Sequence, residues 1–156
     1  FIRIEADALT YPIHIMIRYE IEREIFNGDL QAADLPRVWN DKYEEYLGIR
    51  PANDAEGVLQ DMHWSDGSFG YFPSYALGFM YAAQWKHAMD QDIPNFDELL
   101  GRGELAPIKN WRTEKGHQYG ALKKPNERIG EGTGEALSAT YLANYLKEKY
   151  TKLYQL

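Results

Sequence analysis

The sequence predicts a fold that is all-α or nearly so. Apolar residues recur every three or four positions through several long segments, and glycine- and proline-rich connections fall between those segments. No stretch alternates apolar and polar residues strongly enough to mark a sheet.

In chain order, Ile13, Ile17, Ile21 and Ile25 recur at four-residue intervals between positions 11 and 28, with Ile15 and Met16 beside them, and predict a first helix. Pro12 suits its first turn, where a missing N–H costs nothing, and Asn27-Gly28 reads as a left-handed stop. Arg18, Glu22 and Arg23 read as the opposite, solvent-compatible face, able to pair at helical spacing. A second helix is predicted from Asp34, whose side chain caps it ahead of Leu35-Pro36, to Gly48. Val38, Trp39, Tyr43, Tyr46 and Leu47 are available to pack. IRPANDAEG then reads as a turn-rich connection, Val58–Trp64 as a helical turn, and SDGSFG as loop.

The run PSYALGFMYAAQWKHAMDQD predicts a third long helix with Leu77, Met80, Tyr81 and Trp85 on one side, and Gly78 inside it signals close packing. Shorter helices are expected over 95–100 and 107–115, around the GRGE turn. GALKKPNERIGEGTGEALS reads as a glycine-rich loop, after which Ser138 caps a last amphipathic helix through Leu153. No repeat, linker or domain boundary emerges, so residues 1–156 read as a single helical region.

Composition removes several function classes. A chain of 156 residues can bury a real core, roughly 68–70% of its unfolded surface. Its 44% apolar and 14% aromatic content excludes a disordered chain. The net charge of -7 argues against nucleic-acid binding, which needs clustered Lys and Arg to displace counterions. No apolar run reaches the ~20 residues of a membrane helix, and no leader pattern is present, so a cytoplasmic protein without membrane partners is expected. The absence of cysteine removes thiolate catalysis and cysteine zinc sites. Because the chain opens on Phe1 rather than Met, sequence lost upstream is expected.

The four histidines, His14, His63, His87 and His117, contain no pair at the i, i+4 spacing of HExxH, so no complete metal site is expected within the chain. His14, His87 and His117 read as structural or exposed. GEGTG lacks the lysine of a phosphate loop and reads as a turn. His63 differs: it lies between Asp61, Trp64 and Asp66, ahead of a glycine-rich loop bearing Tyr71 and Tyr75. An imidazole and a phenol there could donate to a developing oxyanion. Alternatively, Trp64, Phe69, Phe72 and the tyrosines are core aromatics around a hydrogen-bonded histidine. The residues alone favour this second reading.

IRIEAD, at residues 2–7, and GVLQDMHW, at residues 57–64, match the I-R-x-x-A-D and G-x-x-Q-D-x-H-W signatures, and the chain resembles the carboxypeptidase Taq family of zinc metallocarboxypeptidases. The likeness continues through ALTYPIHIMIRYEIEREIFNGDL, SDGSFGYFPSYALG and GTGEALSATYLANYLKEKY, and corresponds to roughly the final third of a family member. It implies the C-terminal portion of a mostly helical, groove-forming peptidase that releases single residues from peptide C-termini. The zinc of the intact enzyme would be held by HExxH histidines and a glutamate upstream of Phe1, with none bound by this portion, whose first partner would be the missing N-terminal part. By the same resemblance Arg3 would hold the substrate's terminal carboxylate, and His63 the substrate carbonyl or backbone. Tyr75, or else Tyr71, would steady the oxyanion, with Asp7, Gln60, Asp61 and Trp64 as a supporting shell around His63. The alternative is a free-standing, non-enzymatic helical module that binds peptides or a partner protein. A surface shorn of its upstream part would also favour self-association into a homo-oligomer.

Overall fold

The computed structural model describes all residues, Phe1–Leu156, and its regular structure is entirely helical: seven α-helices and five short 3-10 turns. The helices are α1 (Thr10–Asn27), α2 (Leu35–Leu47), α3 (Phe72–Asp92), α4 (Phe96–Gly101), α5 (Ala106–Lys115), α6 (Pro125–Thr133) and α7 (Ala139–Tyr154). None is long and apolar enough to cross a membrane. The chain divides into two compact units, residues 1–77 and 78–156, with the boundary inside α3.

In the first unit the isoleucine stripe of α1 does what its spacing predicts. Ile17 and Ile21 are fully buried against Trp39 and Tyr43 of α2, with Ile13, Ile25, Val38 and Trp64 packed around them. Burying each isoleucine side chain is worth about 1.5–3 kcal/mol. Trp39 stacks on Tyr43 at 4.9 Å between ring centres. Gly48 takes the left-handed conformation (φ 67°) that ends α2.

Three local expectations are corrected here. The face of α1 carrying Arg18 and Glu22 is buried, not solvated: the two residues are 1% and 5% exposed. A polar side chain at helical spacing reads as solvated only while its partner, distant in sequence, is unseen. Gly28 ends α1 in extended backbone (φ -123°), its N–H reaching the Glu24 carbonyl at 3.1 Å, without a left-handed turn. Asp34 does not cap α2 with its side chain but pairs with Arg37 at 3.3 Å, and a 3-10 turn over Ala32–Asp34 leads the chain into the helix.

In the second unit the glycine-rich segment expected as loop contains α6. Pro125 occupies its first turn and the Glu127 carboxylate accepts the Lys124 N–H at 3.0 Å. Its glycines serve packing: a Cβ at Gly132 would overlap the Trp85 indole. Gly78, by contrast, has open space around the place of its missing side chain, so it marks no close packing. Leu77 is 40% exposed, while Phe72, Ala83, Gln84 and Met89 are the buried residues of α3. Gln84 Nε2 lies 3.1 Å from Thr133 Oγ1 and from the Glu135 and Ala136 carbonyls, and its Oε1 accepts the Ser138 N–H at 3.0 Å. That one amide fixes the turn into α7, which Ser138 caps through the Thr140 N–H as its sequence predicts.

Candidate functional site

The motif 57–64 and the loop that follows are held on the buried polar face of α1. Arg18 Nε donates to Asp61 Oδ2 at 2.8 Å, with both side chains almost wholly buried. Its Nη1 donates to the His14 carbonyl at 3.0 Å and to the Tyr43 hydroxyl at 3.1 Å, and the guanidinium lies 4.5 Å from the centre of the Trp39 ring. Asp61 Oδ1 accepts the Trp64 backbone N–H at 2.9 Å, which closes the turn that presents His63. One helical turn along, the Glu22 carboxylate accepts the Trp64 indole N–H at 2.9 Å and the Gly70 backbone N–H at 3.1 Å. Two charged residues of one helix thus pin both ends of the loop 61–70.

The loop sets His63 among rings. Its centre lies 4.7 Å from Phe72, 5.7 Å from Tyr75 and 5.9 Å from Tyr71, and its Nε2 is 3.0 Å from the Tyr75 hydroxyl. Tyr71 is half exposed and stacks on the imidazole, its own ring edge-on to Tyr75 at 5.2 Å. Arg3 arrives from the 3-10 turn Arg3–Glu5. Its guanidinium bonds to the Tyr11 hydroxyl and sits 5.0 Å from the centre of Tyr75, 5.4 Å from Tyr11 and 5.9 Å from Phe72. Arg3, His63, Tyr71 and Tyr75 therefore meet in one aromatic cluster of the first unit.

The four other predicted residues divide. Asp61 and Trp64 bind the motif to α1 as described. Gln60 bonds to the Ala55 carbonyl and stays within its own turn. Asp7 lies at the start of α1, where Oδ1 accepts the Leu9 and Thr10 N–H groups at 2.9 and 2.8 Å and so caps the helix. Sequence reasoning missed Arg18 and Glu22, and the available signal was their charge: each shares the motif's helix face with isoleucines, and a charge at such a place requires a partner.

His14 has a structural role. Buried in α1, it shares a hydrogen bond of 2.9 Å with the Tyr43 hydroxyl through Nδ1. Burial first, and then the nearby Arg18 charge, push its pKa from 6.5 down to about 4. The unfolded chain takes up a proton near pH 6.5 that the folded chain refuses until about 4, so this neutral histidine contributes stability above pH 6.5 that is lost as pH falls between those values. His14→Asn is expected to flatten the acid limb of a urea-midpoint-against-pH curve over that window, by about 2–3 kcal/mol between its ends. A variant curve parallel to the parent would refute it.

These residues do not form a metal centre. No cluster of three or more His, Cys, Asp or Glu side chains could hold an ion, and His63 is surrounded by aromatic rings. What the cluster offers is a guanidinium for an anion, and an imidazole and phenol able to donate to or accept from a polar substrate.

Comparison with known proteins connects this geometry to a family. Residues 1–150 match the model of the carboxypeptidase Taq (M32) metallopeptidases. Over its whole length the chain is 60% identical to carboxypeptidase 1 of Bacillus subtilis, and over 150 residues, 96% of the chain, it is 45% identical to thermostable carboxypeptidase 1 of Pyrococcus furiosus. It spans only 31% and 30% of those proteins' lengths. The crystal structure of the M32 carboxypeptidase from Deinococcus radiodurans matches 99% of the chain with 31% of its own, at a TM-score of 0.95 and 36% identity.

Proposed function

The chain belongs to the carboxypeptidase Taq (M32) metallopeptidase family, and from that premise we propose that it is the substrate-binding and transition-state-assisting portion of a zinc-dependent metallocarboxypeptidase that releases C-terminal amino acids from peptides. The metal, whose ligands lie outside these 156 residues, supplies activation of the attacking water when bound. This chain's own residues bind and orient the peptide.

Arg3 receives the terminal carboxylate. A guanidinium held between Tyr75 and Tyr11, 5.0 and 5.4 Å from their ring centres, offers a planar fork and loses little freedom on binding. His63 bonds to the substrate's carbonyl or backbone, and Tyr75 donates its hydroxyl to the oxyanion that forms as the scissile carbonyl is attacked. The observation that carries this reading is the convergence of three chemically distinct groups from separate parts of the sequence: Arg3 lies 5.0 Å from the Tyr75 ring, and Tyr75 lies 3.0 Å from His63.

The test is the Arg3→Gln variant of the enzyme that carries this chain. KM for peptides with a free C-terminal carboxylate is expected to rise about 30-fold or more, the equivalent of a lost charged hydrogen bond of about 2–3 kcal/mol. Arg3→Lys should recover part of that loss, since it restores the charge without the fork. A variant with unchanged KM, or a parent enzyme that cleaves C-terminally amidated peptides as well as free acids, would overturn the assignment.

A further inference from the structure

We propose that the second unit holds a binding site for a small aromatic carboxylate, in a cavity formed by α3, α4, α5 and α6. The cavity measures about 510 Å³. It is partly open to solvent, and small-molecule sites occupy roughly 300–1,000 Å³, so a space of this size is of ligand scale.

Its apolar walls are Trp85, Met89, Phe96, Ile108, Trp111 and Ile129, and they are held before any ligand arrives. Trp111 meets Trp85 edge-on at 5.7 Å and 88°, and its indole N–H is tied to Asp92 Oδ2 at 2.7 Å. On its other side Trp85 lies against Gly132 and Gly116; a side chain at 132 would displace the indole, and one at 116 would touch it. Gly132 therefore leaves the space that the ring forming the wall occupies, and preformed walls lower the ordering cost of binding.

The sign of the charge selects the ligand. The chain as a whole carries 24 acidic against 17 basic residues, yet every fully charged side chain lining this cavity is cationic: Lys86, Arg112 and Arg128. Lys86 is engaged by Asp90 and sits 4.2 Å from the centre of Phe96. No ion pair engages Arg112 or Arg128. Two guanidiniums without an ion-pair partner, beside two indoles set edge to face, suit an anion joined to a planar apolar body. An acid gives the guanidiniums a counter-charge that a neutral ligand lacks, and a cation would be repelled. The site stands apart from Arg3 in sequence and chemistry, and nothing in it depends on peptide hydrolysis.

Calorimetric titration of the protein with biphenyl-4-acetate tests this. Saturable binding is expected, with the uncharged biphenyl-4-acetamide about tenfold weaker or worse. The Arg112→Gln/Arg128→Gln double variant, with its helical circular dichroism intact, should weaken the acid about tenfold and bring acid and amide level. Ile108→Trp, which reduces the cavity's volume and keeps both guanidiniums, should weaken both ligands. Arg3→Gln should leave the titration unchanged, which separates this site from the proposed peptide site. No saturation by about 1 mM, equal affinity for acid and amide in the parent, or loss of binding in Arg3→Gln would each overturn the proposal.

Discussion

Asp61→Ala is expected to destabilise the first unit by about 3–5 kcal/mol, the typical cost of removing one member of a buried ion pair. Asp61 and Arg18 are 2% and 1% exposed at their side chains and 2.8 Å apart. Truncating the acid leaves a guanidinium in the core, where its Nη1 still reaches the His14 carbonyl and the Tyr43 hydroxyl but its charge has no counterpart. It also removes the acceptor of the Trp64 N–H, so the turn presenting His63 loosens along with the core. Replacing both partners by apolar residues of similar size, Arg18→Met with Asp61→Leu, should cost clearly less than the sum of the single changes, since no orphaned charge then remains. Urea unfolding followed by tryptophan fluorescence, with Trp39 and Trp64 reporting from this unit, measures all four corners of the cycle. A single-variant loss below about 1 kcal/mol would mean that water reaches the pair and that it is no anchor.

The reason this pair escaped the sequence shows which physics a linear reading captures. The isoleucine stripe of α1 and the Ser138 cap are local patterns, decided by neighbours within a few positions, and both are realised as read. Arg18 and Asp61 are forty-three positions apart, and Glu22 meets Gly70 across forty-eight; no local rule links them. The result is a helix on which two charged residues, Arg18 and Glu22, lie inside because they hold the loop 61–70. Segment 120–138 failed for the complementary reason. Its glycines carry turn propensity as isolated residues, but Gly132 is demanded by the width of Trp85, forty-seven positions earlier, and the helix forms around that contact. The aromatic cluster around His63 was legible as a set of residue types close in sequence. Arg3 joined it through the likeness of IRIEAD to a family signature, since its ring contacts form only in the folded chain.

The second large effect concerns Tyr75, and it separates two roles that the geometry allows. If its hydroxyl donates to the oxyanion, Tyr75→Phe in the enzyme that carries this chain should lower kcat by about 10²–10³-fold with little change in KM, because the interaction exists only in the transition state. If it serves to orient His63, to which it lies at 3.0 Å, the loss should be small and should vanish in a His63→Ala background. Tyr71 is the control. It stacks on the same imidazole but is half exposed, and the His63 Nε2 bond goes to Tyr75 instead, so Tyr71→Phe should cost no more than about threefold. Arg3→Gln provides the contrast along the other axis, since its effect should fall on KM. A Tyr75→Phe enzyme with parental kcat, or one whose loss falls wholly on KM, would remove the phenol from the transition state and leave the cluster with binding alone.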